Sequence, residues 1–286
     1  MQFADKYVVL VITRDHQTFI ADCLASIVSQ SNHKIPIVVI DTGSLDETSE
    51  NAERFLANSG WLYRIYKMER GATTLQALAH YASLESPNWI SLISGDDAFG
   101  DLYFEQAGTF IEAYPEGALG FSKLKVCDNK LSAISERKSA WGLSRDAILK
   151  QLQYSNPGNT PGVILPWKKI VQSGIFNSIP PILIEDYWLW WQLQDKFDFK
   201  NLNESKVKYR RHELNLTKQR KNKLYAFSLG YCTGLPLLHQ NTFATHFRNV
   251  LLVTRWIRHI SPIYWSNFFL GRKQVHSNTN LTSNLR

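Results

Sequence analysis

"IPIVVIDTGSLDE", residues 35–47, runs from an unbroken apolar stretch into an aspartate, a glycine turn and a polar helix start. The run "IPIVVID" (35–41) reads as a strand buried on both faces, the pattern of a parallel sheet. "SLDE" (44–47) has capping-box spacing, Ser44 to Glu47, and predicts a helix running towards Ala57. The same alternation extends in both directions. "YVVLVIT" (7–13) is a first buried strand. The next segment places Phe19, Ile20, Cys23, Leu24, Ile27 and Val28 on one helical face. "WLYRIYK" (61–67) and "WISLIS" (89–94) read as further strands, with the helical "TTLQALAHYAS" (73–83) between them. Strands alternating with helices predict an α/β fold with a parallel sheet and right-handed crossovers.

Ligands of such sheets bind beyond the carboxyl ends of the strands. Those ends carry Thr13, Arg14 and Asp15; Asp41, Thr42 and Gly43; and Asp96 and Asp97. The last pair lies in "LISGDDAFGD" (92–101), where an apolar run meets two adjacent carboxylates. Neighbouring carboxylates repel, so a cationic partner is expected, whether metal or arginine. An Asp-Asp turn facing only water is the bland alternative. Farther along, "ALGFSKLKV" reads as another strand and "SNPGNTPG" as a loop. "IEDYWLWWQLQ" (184–194) reads as an amphipathic helix opening on Glu185 and Asp186.

The composition is globular: 44% of the 286 residues are hydrophobic and 20% charged. Cys23, Cys127 and Cys232 are too scattered for a disulfide framework or a zinc spacing, which suits a reducing compartment. The N-terminal apolar run lacks a basic leader, and no apolar stretch approaches the ~18 residues of a membrane span. The net charge of +7 is uneven. Residues 1–213 hold 22 basic and all 25 acidic side chains, while residues 214–286 hold ten Lys and Arg and no acid. Within the tail, "FRNVLLVTRWIRHI" (247–260) mixes apolar residues, Trp256 and arginines. Two readings stay open: a cationic helix lying on anionic lipid, or a helix packed on the preceding domain. No nucleic-acid-binding motif is present.

Four stretches together resemble family 2 glycosyltransferases. "VVIDTGSLDET" (38–48) is similar to that family's "VDDGSxDxT", "SGDD" (94–97) to its "DxDD", Glu185-Asp186 to its "ED", and "YRRHELNLT" (209–217) to its "YRxHxxNxS/T". The resemblance spans about residues 7–217. It implies a GT-A, Rossmann-like fold: a mainly parallel sheet flanked by helices, followed by a C-terminal helical extension. The implied catalytic domain is 1–217, with a nucleotide-sugar half about 1–115 and an acceptor half about 116–217. Residues 218–286 form the basic, aromatic extension.

The implied activity is metal-dependent, inverting sugar transfer from a UDP- or dTDP-sugar to a hydroxyl. The acceptor would be a saccharide or lipid-linked saccharide in cell-surface polysaccharide or glycolipid synthesis. The implied place is the cytoplasm, on the inner face of a bacterial membrane. By resemblance, Asp41 meets the base, with Thr13 and Asp15 beside it. Asp96 meets the ribose, and Asp97 binds Mn²⁺ or Mg²⁺ with His212 as a further ligand. Arg210 and Arg211 hold the donor diphosphate, and Arg70 is a further nucleotide contact. Asp186 is the catalytic base, and Glu185 and Trp188 bind the acceptor. Two departures stand out: Ser94 replaces the first Asp of the acidic motif, and Gln76 and Ala77 replace the Arg and Asn of "GxxxARN". A sugar nucleotidyltransferase would need a glycine-rich loop after the first strand, and "VITRDHQTF" has no glycine. A non-catalytic sugar- or membrane-binding scaffold is the remaining alternative.

Overall fold

The computed structural model describes residues 7–30, 34–137, 146, 152, 160–177, 179, 185–213 and 215. Four strands form a parallel block in the order β3-β2-β1-β4: β1 Tyr7–Thr13, β2 Ile37–Asp41, β3 Tyr63–Lys67 and β4 Trp89–Ser94. Helices α1 (Ile20–Val28), α2 (Thr48–Ala57) and α3 (Thr74–Leu84) make the crossovers. The apolar runs predicted these strands because both sheet faces are covered. Val8, Leu10 and Ile12 enter a core with Leu75, Leu78 and Trp190, while Val9 and Val11 enter another with Ile20, Leu24 and Leu56. Register then sets the site: Thr13 lies beside Asp41, and Ile12 beside Ser94.

The parallel pattern ends at β4. Strand β8 (Val163–Leu165) pairs antiparallel with β4 and with β6 (Ala118–Cys127). Strand β6 pairs in parallel with β9 (Asp198–Arg210), and the short β5 (Ala98–Phe99) pairs antiparallel with β9. Strand β7 (Ala133–Arg137) forms a hairpin with β6. Helices α4 (Tyr103–Ala113), α5 (Trp167–Gln172) and α6 (Glu185–Leu193) complete the described layers. Strand β9 returns the chain to the acidic end of β4, because its last residue, Arg210, bonds Asp96 and Asp97.

Two expectations are corrected. Ser44 and Glu47 make no capping box: α2 starts at Thr48 without a side-chain cap, because the Ser44 hydroxyl is bonded to Asp41. The capping box lies instead at α3, where Thr73 and Gln76 bond each other's backbone. Helix α6 is not a one-sided amphipathic helix. Trp188, Leu189, Trp190 and Leu193 are buried, and Tyr187 and Trp191 pack partly against the same core. The extension 218–286 lies outside the described residues.

Candidate active site

The loops after β1 and β2 are laced together. The Asp15 backbone N–H donates to the Ser44 hydroxyl at 2.9 Å, that of His16 to the Thr48 hydroxyl at 2.7 Å, and that of Leu45 to the Asp15 carboxylate at 2.9 Å. Asp41 is buried. Its Oδ1 accepts from the Gly43 and Ser44 backbone N–H groups, at 3.0 and 2.8 Å, and from the Ser44 hydroxyl at 2.8 Å. Its Oδ2 accepts from Ser49. Three of these donors converge on Oδ1 and one on Oδ2, so most of the carboxylate's acceptor capacity goes to its own turn. Asp41, expected to meet a nucleotide base, is thus committed to its own turn. Gly43 completes that turn at φ +88°, and a Cβ there would lie 2.2 Å from the Arg70 Cα. Arg70 forks onto Asp15, at 3.1 and 2.9 Å, and reaches the Gly43 carbonyl at 2.8 Å. That fork is the main reason the Asp15 carboxyl is held below its ordinary range.

At the end of β4 the two neighbouring aspartates part company. Gly95 lets the chain close on β1: its N–H donates to the Ile12 carbonyl at 3.0 Å, and a Cβ there would lie 2.4 Å from the Thr13 hydroxyl. Asp96 Oδ2 faces His212 Nε2 at 3.0 Å, Asn215 Nδ2 at 3.3 Å and His16 Nε2 at 3.7 Å. The Ser94 hydroxyl donates to Asp96 Oδ1, so this serine orients the aspartate instead of supplying a carboxylate. Burial acts to raise the Asp96 pKa, but the His212 hydrogen bond, His16 and Ser94 outweigh it and leave the group at about 2. Asp97 is driven the opposite way, well above the carboxylate range, by burial first and the Asp96 charge second. The repulsion legible in the sequence is resolved by this division.

Arg210 fastens the arrangement. Its backbone N–H donates to Asp97 Oδ1 at 2.9 Å, and its guanidinium reaches the Asp96 carbonyl at 2.7 Å and Asp22 of α1 at 2.9 Å. Phe19, expected in the α1 core, instead lies against the Arg210 guanidinium and the His212 ring, 4.6 Å from each.

His16, Asp96 and His212 can each turn one ligand atom into a group spanning less than 4.8 Å. Ligands at about 2.1 Å from a common ion are at most about 4.2 Å apart, so these atoms need only a small adjustment to share one. Two further observations favour a cation. His212 Nδ1 is buried without a hydrogen-bond partner among the described residues. Burial also lowers the His16 pKa, favouring the neutral imidazole that a metal requires. Asp97, expected as the metal ligand, lies outside this group and faces the Arg210 backbone.

The other expected residues are distributed more widely. Thr13 bonds His16 Nδ1 at 3.2 Å. Arg211 is exposed, with its backbone N–H on the Cys127 carbonyl at 2.8 Å. Asp186 is half-buried and lines a narrow cleft with Leu92, Thr160, Leu189 and Trp190, on the α6 side of β4. Trp188 is buried in the core, out of reach of an acceptor sugar. The Glu185 side chain lies outside the described part of the chain. In the departure from "GxxxARN", Gln76 caps α3 and Ala77 is core. Sequence reasoning overlooked His16 and Asn215. His16 stands three residues past Thr13, in the loop already singled out, and Asn215 lies within the quoted "YRRHELNLT". Position beyond a strand end was the available signal for both.

The parallel block extended by antiparallel strands matches the fold of GT-A glycosyltransferases of known structure. The profile described as Glycosyl transferase family 2 matches residues 8–173, more than half of the chain. The chain therefore belongs to glycosyl transferase family 2. Solved structures share its fold at low identity. S. aureus TarS 1–349 in complex with UDP-GlcNAc is 13% identical with a TM-score of 0.59, covering 90% of this chain and 82% of that one. The mannosyltransferase PcManGT from Pyrobaculum calidifontis, in complex with GDP-Man and Mn²⁺, is 10% identical with a TM-score of 0.59, covering 94% and 80%. GalNAc-T7 with UDP, GalNAc and Mn²⁺ is 11% identical with a TM-score of 0.57, covering 73% and 44%. No curated protein sequence matches the chain. Among the described residues, no helix is long and apolar enough to cross a membrane.

Proposed function

We propose that this glycosyltransferase moves a sugar from a nucleoside diphosphate to a hydroxyl acceptor with inversion, using a divalent cation at the end of β4. The observation that carries this reading is the meeting of His16, Asp96 and His212 from three strand ends of a family 2 fold. Two imidazoles beside one carboxylate suit Mn²⁺ better than Mg²⁺, which prefers an all-oxygen shell. When bound, the cation supplies Lewis-acid stabilisation of the departing diphosphate.

The chain's own groups do the rest. Asp186 accepts the acceptor hydroxyl proton as that oxygen bonds to the anomeric carbon and the bond to diphosphate breaks. A single displacement inverts the centre. Arg211, exposed and next to His212 in the chain, would hold the diphosphate. Glu185 belongs to the acceptor side, next to the base. Most of the Asp41 acceptor capacity goes to its own turn, so a uracil or thymine preference draws little support from that carboxylate.

Asp186→Asn is expected to lower kcat by about 10²–10⁴ while leaving donor binding within a fewfold of wild type. Nucleotide release with a panel of acceptors, together with donor titration, checks this, and transfer that survives the substitution rejects the mechanism. The acid-free tail supports a peripheral place on anionic membrane in cell-surface glycan or glycolipid synthesis. Vesicle sedimentation with and without residues 224–286 tests that, equal binding being the adverse result.

A further inference from the structure

Thr13 ends β1 and is buried, with 2% of its surface exposed. Its backbone is pinned to the end of β2. The Thr13 carbonyl accepts from the Thr42 backbone N–H at 2.9 Å and from the Thr42 hydroxyl at 3.3 Å. Gly95 packs against its side chain from the end of β4. Its hydroxyl therefore faces protein instead of solvent, and it meets the ring of His16, with Oγ1 and Nδ1 3.2 Å apart.

His16 is held just as closely. Asp15 before it has a left-handed backbone, φ +55°, a conformation that aspartate tolerates better than most residues. The His16 N–H donates to the Thr48 hydroxyl at 2.7 Å, and its carbonyl accepts from Phe19 and Ile20, each at 2.9 Å. The loop thus returns the imidazole to the strand end it has just left. One ring nitrogen, Nδ1, meets Thr13, and the other, Nε2, lies 3.7 Å from Asp96 Oδ2.

A neutral imidazole carries one N–H, so its two nitrogens make opposite demands. A cation beside Asp96 needs the Nε2 lone pair, which puts the proton on Nδ1, where it requires an acceptor. Without a cation, a proton on Nε2 facing the Asp96 carboxylate is electrostatically favoured, and Nδ1 then requires a donor. A hydroxyl answers both demands by rotating. A valine would answer neither.

We infer that Thr13 is a positioning residue for the cation: its hydroxyl aims the His16 ring and accepts the Nδ1 proton, leaving Nε2 free to bind metal. The inference rests on the reading of His16, Asp96 and His212 as a cation site. Partners on the far nitrogen of a metal-binding histidine fix its tautomer and orientation, and their loss typically costs about 10- to 100-fold in affinity.

The test is Mn²⁺ binding by the full chain without donor, followed by electron paramagnetic resonance. Thr13→Val keeps a β-branched side chain at the strand end. It is expected to bind Mn²⁺ about tenfold more weakly than wild type while its Tm stays within a few degrees. Thr13→Ser keeps the hydroxyl and should restore binding to within about threefold of wild type. Thr42→Val removes the neighbouring buried hydroxyl, which bonds the Thr13 carbonyl, and should leave Mn²⁺ affinity unchanged. A general loosening of this strand end would instead weaken Thr42→Val and Thr13→Ser as well. Nitrogen-15 NMR of histidine-labelled wild type, with Zn²⁺ as a diamagnetic probe, should show His16 protonated at Nδ1 and metal-bound at Nε2. Coordination through Nδ1 would overturn the proposal, and that reading stands even if Thr13→Val does not fold. Equal Mn²⁺ affinity in Thr13→Val and wild type, or equal losses in all three variants, would remove Thr13 and leave the cation site intact. Wild type that binds no Mn²⁺ would overturn both.

Discussion

The turn closing β2 and the cluster ending β4 are both built on a buried aspartate, yet they are finished differently. At Asp41 the four hydrogen bonds come from residues just ahead in the chain, Gly43, Ser44 and Ser49. At Asp96 the neighbours are two imidazoles, one of which keeps a buried nitrogen without a partner among the described residues. A carboxylate bonded by its own turn holds structure. One met from distant strand ends, with two imidazoles beside it, offers a place for a cation.

Four substitutions or conditions sharpen this contrast. Asp96→Ala is expected to reduce transfer about a thousandfold and to abolish saturable Mn²⁺ binding, followed by electron paramagnetic resonance. An Asp96 variant that still binds Mn²⁺ like wild type would erase the distinction. Gly43→Ala, at the Asp41 turn, is expected to cost on the order of 3 kcal/mol in urea unfolding, from backbone strain plus the collision with Arg70. Asp41→Asn removes the charge from the hydrogen bonds to Gly43 and Ser44 and sets an amide against the Ser49 hydroxyl, which must turn to accept. It should cost about 2 kcal/mol of stability while Mn²⁺ affinity in the folded fraction is retained.

The smallest effect is the acid titration of Asp15. Its folded pKa lies below the unfolded value of about 3.9, so its contribution is complete above that pH and is lost as pH falls through the folded value. Arg70→Gln should flatten that slope in pH-dependent thermal melts. An unchanged slope would remove the Asp15–Arg70 pair from the account.

The parallel block was legible because its information is local. A strand covered on both faces needs a continuous apolar run, and β1, β2 and β4 each show one. The helix start at Ser44 misled because the same residue types that cap helices also tie turns, and Asp41 lies within reach of the Ser44 hydroxyl. Trp188 misled for a related reason: an aromatic residue beside a catalytic carboxylate looks like a sugar platform, but the turn of α6 directs it into the core. His16 was missed because its partner is 80 residues away in the chain, and the register that unites them is a property of the assembled sheet. The antiparallel half was least legible. Its pairings join β4 to β8 and β6 to β9 over long intervals, where no local pattern names a partner.

Arg210 gives this long-range architecture a consequence in time. Its guanidinium joins the chain to Asp22, 188 residues earlier, and its neighbours His212 and Asn215 complete the surroundings of Asp96. On the ribosome, the parallel block can begin folding long before those residues emerge. Until they do, Asp96 and Asp97 stand side by side without their counter-charges. The nascent chain thus carries a finished donor-side scaffold and an unfinished active centre, and arrest before residue 210 should yield a protein that folds in part and binds no metal.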